Sequence, residues 1–164
     1  MISKKMQDAI NAQINAELYS AYLYLSMSAQ FESMNLPGMA KWMRAQAGEE
    51  VAHAMKFFDY VCQRGGKVTL AAIEKPAVKW ATPLAAFTAG YKHEQKVTAL
   101  IGKLVNLAAA EKDHAASAFL QWYVSEQVEE EATASAIVEQ LKLVGDQPGP
   151  LFMLDAQLGR RGAD

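Results

Sequence analysis

A single cysteine, Cys62, stands in 164 residues. That excludes an intrachain disulfide framework and any paired-thiolate metal knot, so a metal site here would have to use oxygen and imidazole ligands. Proline is scarce, at five residues, and period-two alternation bounded by turn residues is rarer still, which leaves little room for a sheet. A basic excess is missing: 16 Lys and Arg face 18 Asp and Glu for a formal charge of −2, and no Lys/Arg-rich arm precedes the first periodic segment. Both facts disfavour a nucleic-acid partner. The uncharged run from Leu18 to Phe31 is 14 residues long and contains polar groups, short of the roughly 20 that span a bilayer. The opening Met1-Ile2-Ser3-Lys4-Lys5-Met6 meets Asp8 and Asn11 before any apolar core of a signal peptide. No membrane partner and a soluble, cytoplasmic protein are therefore expected.

What is present is a hydrophobic content of 51% spread through long segments of helical period. A chain of this length folding as one domain, 1–164, buries roughly 70% of its unfolded surface, and the expected class is all-α. Ser3 caps a helix over 4–33. Asn35-Leu36-Pro37-Gly38 breaks it and starts a second over 37–64, which Gly65-Gly66 ends. Thr82-Pro83 opens a third over 83–110 by cap-plus-proline logic, and the turn at Lys112-Asp113 leads to a fourth over 114–144. After Gly145 to Pro150, a short fifth helix over 150–160 fits Leu151, Phe152, Leu154 and Leu158. Residues 65–82 lack a sustained period and are read as a crossover along the bundle, packed on its own helices or on a neighbouring subunit.

Each long helix carries one apolar stripe at spacings of three and four, and each stripe is broken near its middle by a carboxylate. The four are Glu17 between Ile14 and Ala21, Glu50 between Gln46 and His53, Glu94 between Tyr91 and Thr98, and Glu130 between Gln127 and Ala134. A charge left alone in a bundle core costs several kcal/mol of desolvation, so four at one depth require a shared partner. A pair of metal ions is the simplest one.

Glu50 and His53, three apart, point the same way and can serve one ion. Four carboxylates and one imidazole form a hard, oxygen-rich set that suits iron or manganese better than zinc or copper. Glu50, central to the cluster, is the candidate bridge; Glu17 with His53 completes one metal and Glu94 with Glu130 the other. Gln127 stands one turn before Glu130, where a symmetric site would carry a second histidine, so the second position is expected to be weaker. Tyr24, two turns after Glu17, reads equally as a core tyrosine satisfied by a neighbouring acid or as a redox participant. Trp122 reads as packing rather than an electron relay, and His93 and His114, off the seams, as surface residues. Glu49, Glu126 and Glu129 flank the seam residues; spacing alone allows either a solvated face or a third metal position.

Together these residues resemble the non-haem bacterial ferritins over essentially the whole chain. The matching pieces are Asn-Ala-Gln-Ile-Asn-Ala-Glu17 with Tyr24, Gly48-Glu49-Glu50-Val51-Ala52-His53, Glu94, and Ser125-Glu126-Gln127-Val128-Glu129-Glu130-Glu131. Two short turns and one long crossover are also the connectivity of ferritin-like four-helix bundles. The resemblance implies a ferroxidase that oxidises Fe(II) with O₂ or H₂O₂ and stores ferric mineral inside a hollow homo-oligomeric shell of 24 subunits. It assigns Glu17, Glu50 and His53 to a first iron and Glu50, Glu94 and Glu130 to a second. Gln127 and Tyr24 match residues near that centre, and Glu49, Glu126 and Glu129 match a third iron site. Haem is not expected, because Ala52 stands where haem-binding relatives place a methionine before the site histidine. The acids that ring the three-fold pores of animal ferritins fall on Ser117 and Leu120, so that iron route does not carry over.

Other readings explain less. A di-metal oxygenase acting on an organic substrate needs an apolar tunnel and usually a second histidine. A DNA-shielding mini-ferritin would have a basic arm, a rubrerythrin-type peroxidase a cysteine-rich module, and a purely structural bundle no reason for four core acids.

Overall fold

The computed structural model describes residues 1–161, in which every regular element is a helix. The order is α1 (Lys4–Ser33), α2 (Pro37–Gln63), α3 (Pro83–Ala110), α4 (His114–Val144) and α5 (Pro148–Leu158). Three helices begin where a side chain accepts an otherwise unpaired first-turn amide, each cap contributing about 1 kcal/mol. Ser3 Oγ accepts from the Met6 amide at 3.0 Å, Thr82 Oγ1 from Ala85 at 3.1 Å, and Asp113 Oδ1 from Ala116 at 3.0 Å. The α1–α2 and α3–α4 turns each contain one residue in the left-handed region, Asn35 (φ 57°) and Lys112 (φ 54°). The fifth helix starts two residues ahead of its expected position, because Pro148 rather than Pro150 takes the first turn, and it ends against Gly159.

α1 packs along α2, α3 along α4, and α1 also meets α3, so the four long helices form a bundle. Residues 65–82 contain no helix and run beside α1, pinned to its polar flank. Asn11 Nδ2 donates to the Lys67 carbonyl (3.1 Å), Asn15 Nδ2 to Ala72 (3.1 Å) and Ser26 Oγ to Ala77 (2.7 Å). Gln30 both donates to the Trp80 carbonyl and accepts from its amide. The crossover therefore rests on its own subunit while leaving Leu70, Ile73 and Val78 exposed. No described helix is long and apolar enough to cross a membrane.

The buried core is two clusters rather than one. Met6, Ile10, Ile14, Phe57, Val97, Ile101, Leu120 and Tyr123 fill one half. Tyr24, Met27, Phe31, Met39, Met43, Phe87, Ile137 and Leu141 fill the other. Between them lies a buried polar belt of Glu17, Glu50, His53, Glu94, Gln127 and Glu130.

α5 docks on α2 and α4 by a device that helical period does not disclose. The residue before α2, Leu36, has no side-chain oxygen to cap it. The buried Asp155 of α5 does so instead, accepting from the amides of Gly38 (3.1 Å) and Met39 (2.8 Å). Glycine at 38 is what allows the approach, since a Cβ there would lie 1.8 Å from the Asp155 carbonyl oxygen. We expect Asp155→Ala to destabilise the subunit by about 1–2 kcal/mol and to speed amide exchange across Leu154–Leu158. Gly38→Ala should do more, expelling α5 outright. Exchange in α5 that is unchanged in both variants would refute docking through this cap.

Candidate metal centre

Each long helix delivers its ligand from mid-length: α1 Glu17, α2 Glu50 and His53, α3 Glu94, α4 Glu130, with Gln127 one turn earlier. All six are between 1% and 8% exposed. Their oxygens are held by neutral amides. Gln13 Nε2 donates to Glu17 Oε1 at 2.8 Å, and Gln46 Nε2 donates to both Glu50 Oε1 (3.0 Å) and Glu130 Oε2 (2.8 Å). Gln127 Nε2 donates to Glu94 Oε2 at 3.2 Å and to Thr98 Oγ1 at 3.2 Å, and the Tyr24 hydroxyl donates to Glu94 Oε1.

His53 is gripped from several sides. Its Nδ1 lies 3.5 Å from Glu50 Oε2 and its Nε2 3.8 Å from Glu126 Oε1. The Tyr123 hydroxyl donates to its carbonyl at 2.8 Å. Trp122 meets its ring edge-on at 5.4 Å between centroids, while Lys56 Nζ covers the indole 3.0 Å from its centroid. Trp122 thus packs on the site histidine, though it remains part-exposed.

One atom stands out. Glu17 Oε2 is buried without a hydrogen-bond partner, alone in this among the described residues. An unsatisfied carboxylate oxygen at such depth costs roughly 1–3 kcal/mol or more, and it lies where Glu17, Glu50 and His53 bring ligand atoms within 4.8 Å of one another. The donor set therefore fits a hard divalent cation.

The electrostatics agree. Burial, then the charge of Glu50, pushes Glu17 and Glu94 up to about 8 from an ordinary 4.5, and Glu130 to about 7. Burial alone would lower His53, but the hydrogen bond and charge of Glu50, with Glu17 and Glu130 behind it, outweigh that and raise it to about 8. Tyr24 is pushed well above its usual value by burial and then by Glu94 and Glu50, which keeps it a neutral donor.

A second triad unites His53, Glu126 and Glu130 within the same 4.8 Å limit. Its composition differs from the expected second position of Glu50, Glu94 and Glu130, sharing only Glu130 with it. Glu94 turns instead to Tyr24 and Gln127, and lines with Glu130 a cavity of about 10 Å³. The flanking acids separate: Glu126 leans inward on His53, Glu129 is exposed, and Glu49 pairs with Arg161. His114 is exposed, but His93 is not the surface residue its off-seam position suggests. It lies half-buried between α1 and α3, its Nε2 2.7 Å from Ser20 Oγ and its ring against Tyr19 and Tyr24.

Two supporting amides escaped the reading of acids alone, Gln13 and Gln46. The signal for both is a glutamine four residues before a core glutamate, the spacing at which one helical side chain reaches the next.

A proton-rich centre makes stability depend on pH with a definite sign. Between the unfolded carboxyl value of 4.5 and the folded value of about 8, the native metal-free protein holds more protons than the unfolded chain. Stability then falls as pH rises. His53 acts in the same direction, its contribution complete below 6.5 and lost through about 8. Divalent metal reverses the balance because its ligands must be deprotonated. We expect the unfolding temperature of the metal-free protein to fall across this window and the rise produced by Zn(II) to widen. A metal-induced rise that shrinks with pH would contradict a protonated carboxylate cluster.

Comparison with known proteins places this geometry. A family model described as a ferritin-like domain matches residues 7–144. The chain is 48% identical over 161 residues to a bacterial non-heme ferritin of Bacteroides fragilis, covering 98% of this chain and 100% of that one. It is 36% identical over 158 residues to a bacterial non-heme ferritin of Escherichia coli, covering 96% of each. A crystal structure of an open pore ferritin from the hyperthermophilic archaeon Archaeoglobus fulgidus superposes with a TM-score of 0.97 at 55% identity, covering 98% of this chain and 99% of that one. A family model over most of the chain, and relatives at these identities over nearly all of it, mean that the chain belongs to the ferritin-like domain family.

Proposed function

We infer that this protein is a ferroxidase and iron store, taking Fe(II) as substrate at the buried centre and depositing ferric mineral inside a hollow assembly. The observation that carries the reading is the unpartnered Glu17 Oε2 at the place where Glu17, Glu50 and His53 bring ligand atoms together. Two Fe(II) ions would each give up one electron, and O₂ or H₂O₂ would accept the pair with the protons needed for balance. The residues' own part is to hold and orient. Glu17 and His53 bind the first ion, Glu94 and Glu130 the second, and Glu50 lies between them. Gln13, Gln46 and Gln127 fix carboxylate rotamers, Tyr24 donates to Glu94, and the protons displaced from the acids leave as metal binds.

The rest of the reading follows from this one. Glu49, Glu126 and Glu129 form a third iron position beyond the pair, with Glu126 close enough to His53 to pass an ion between the two regions. The working form is a homo-oligomer of 24 copies in the cytoplasm, without haem. Assembly is supported by the apolar residues left bare on two faces: Tyr22, Leu25, Leu70, Ile73 and Val78 along α1 and the crossover, and Leu143, Phe152 and Met153 around α5. An oxygenase working on an organic molecule is disfavoured by the space available. The cavity beside Glu94 and Glu130 measures about 10 Å³, room for about one water.

Two experiments test these assignments. Glu50→Ala should slow the first fast phase of Fe(II) oxidation by at least about a hundredfold, beyond the loss caused by a supporting residue, with the assembly intact. The parental initial rate in that variant would overturn the bridge. Glu129→Gln should leave the first turnover within about a factor of two and slow recovery of the centre for a second by about tenfold. Recovery at the parental rate would make Glu129 part of a solvated face.

A further inference from the structure

The end of α5 reaches the centre through a side chain that no ligand pattern singles out. Arg161 Nη1 donates to Gln46 Oε1 at 2.9 Å, its Nη2 donates to Glu49 Oε2, and its guanidinium lies 4.4 Å from the centroid of the Trp42 ring. Gln46 is 1% exposed and spends both amide hydrogens on the centre, one on Glu50 and one on Glu130. The polar chain Arg161–Gln46–Glu50/Glu130 is therefore continuous from the part-exposed guanidinium to two proposed iron ligands.

Its parts constrain one another. Turning the Gln46 amide over would set its oxygen against two carboxylates and its NH₂ against a guanidinium, which has no acceptor to offer. Arg161 thus locks Gln46 in the one orientation that donates inward. The same cation sits on Glu49, so this exposed carboxylate already has a positive partner.

We propose that Arg161 is a positioning residue that acts as a stand-in cation on Glu49, one of the three acids of the proposed third metal position, holding Glu49 and Gln46 until a divalent ion displaces it. The guanidinium is tethered by a stack on Trp42 and a turn after α5, so it can swing away without unfolding anything. When it leaves, Glu49 is freed as a ligand for the arriving ion. When the ion moves on, Arg161 returns and the carboxylate is not left unpaired. This rests on the assignment of Glu49 to the third position.

The test is calorimetric titration of the metal-free assembled protein with Zn(II), a divalent cation that is not oxidised. Glu49→Gln should remove the weakest class of Zn(II) sites and leave the tighter ones. Arg161→Gln should strengthen that weakest class by roughly fivefold, the scale of a part-exposed ion pair. Arg161→Lys, which keeps the charge but not the fork, should fall between. In the Glu49→Gln background Arg161→Gln should restore no weak Zn(II) class, because that class requires the Glu49 carboxylate. If Glu49→Gln keeps every Zn(II) site, the third position is wrong and the proposal falls with it. If Glu49→Gln removes the weak class but Arg161→Gln leaves it unchanged, only the role of Arg161 is overturned. Faster amide exchange in Leu154–Leu158 of Arg161→Gln with an unaltered Zn(II) isotherm would likewise overturn it, reducing Arg161 to a clamp for α5.

Discussion

Mutual repulsion among four buried carboxylates is the constraint around which the rest of this bundle is arranged. They lie in a belt between two apolar clusters, where low polarizability magnifies like-charge repulsion. A protein seeking stability alone would place a lysine or arginine among them. This chain surrounds them instead with Gln13, Gln46, Gln127 and Tyr24, all uncharged donors. Such donors fix where the oxygens point without adding a permanent positive charge. Protons fill the deficit when metal is absent, as the raised values of Glu17, Glu94 and Glu130 indicate. The centre is thus held ready for cations at the expense of the empty protein's stability.

Much of this was legible in the sequence because a helix forces a strict period on its buried face. A glutamate on that face is a visible exception, and four exceptions at mid-length located the belt before any contact was known. Glu50 and His53 added a direction, since three residues bring side chains to the same side. The four long helices were equally readable, their starts marked by Ser3, Thr82 and Asp113 and their breaks by glycine and proline.

What escaped was the part of the structure written in pairs far apart in the chain. Asp155 caps α2 across 116 and 117 residues, and nothing local to Gly38 or Met39 announces a partner. His93 was misplaced for a related reason. Period assigns one seam per helix, but a helix touching two neighbours buries two flanks, and α3 meets α1 as well as α4. The division of labour on α4 was invisible too. Glu126 and Glu129 are both acids near the seam, yet only the first leans on His53 while the second is exposed.

α5 shows how a short helix can matter to a centre to which it contributes no metal ligand. Asp155 and Arg161 are six residues apart and grip α2 at two places, its first turn and the stretch from Gln46 to Glu49, which are separated by roughly 12–15 Å at 1.5 Å per residue. The first grip is a rigid one, two backbone amides on one buried carboxylate with no room for a Cβ at Gly38. The second is a long, part-exposed side chain whose partners also have other work to do. Rigidity at one end is what makes movement at the other useful. With Asp155 fixed, the guanidinium can leave Gln46 and Glu49 and return to the same place, so the cation that guards the outer carboxylate is always within reach of it.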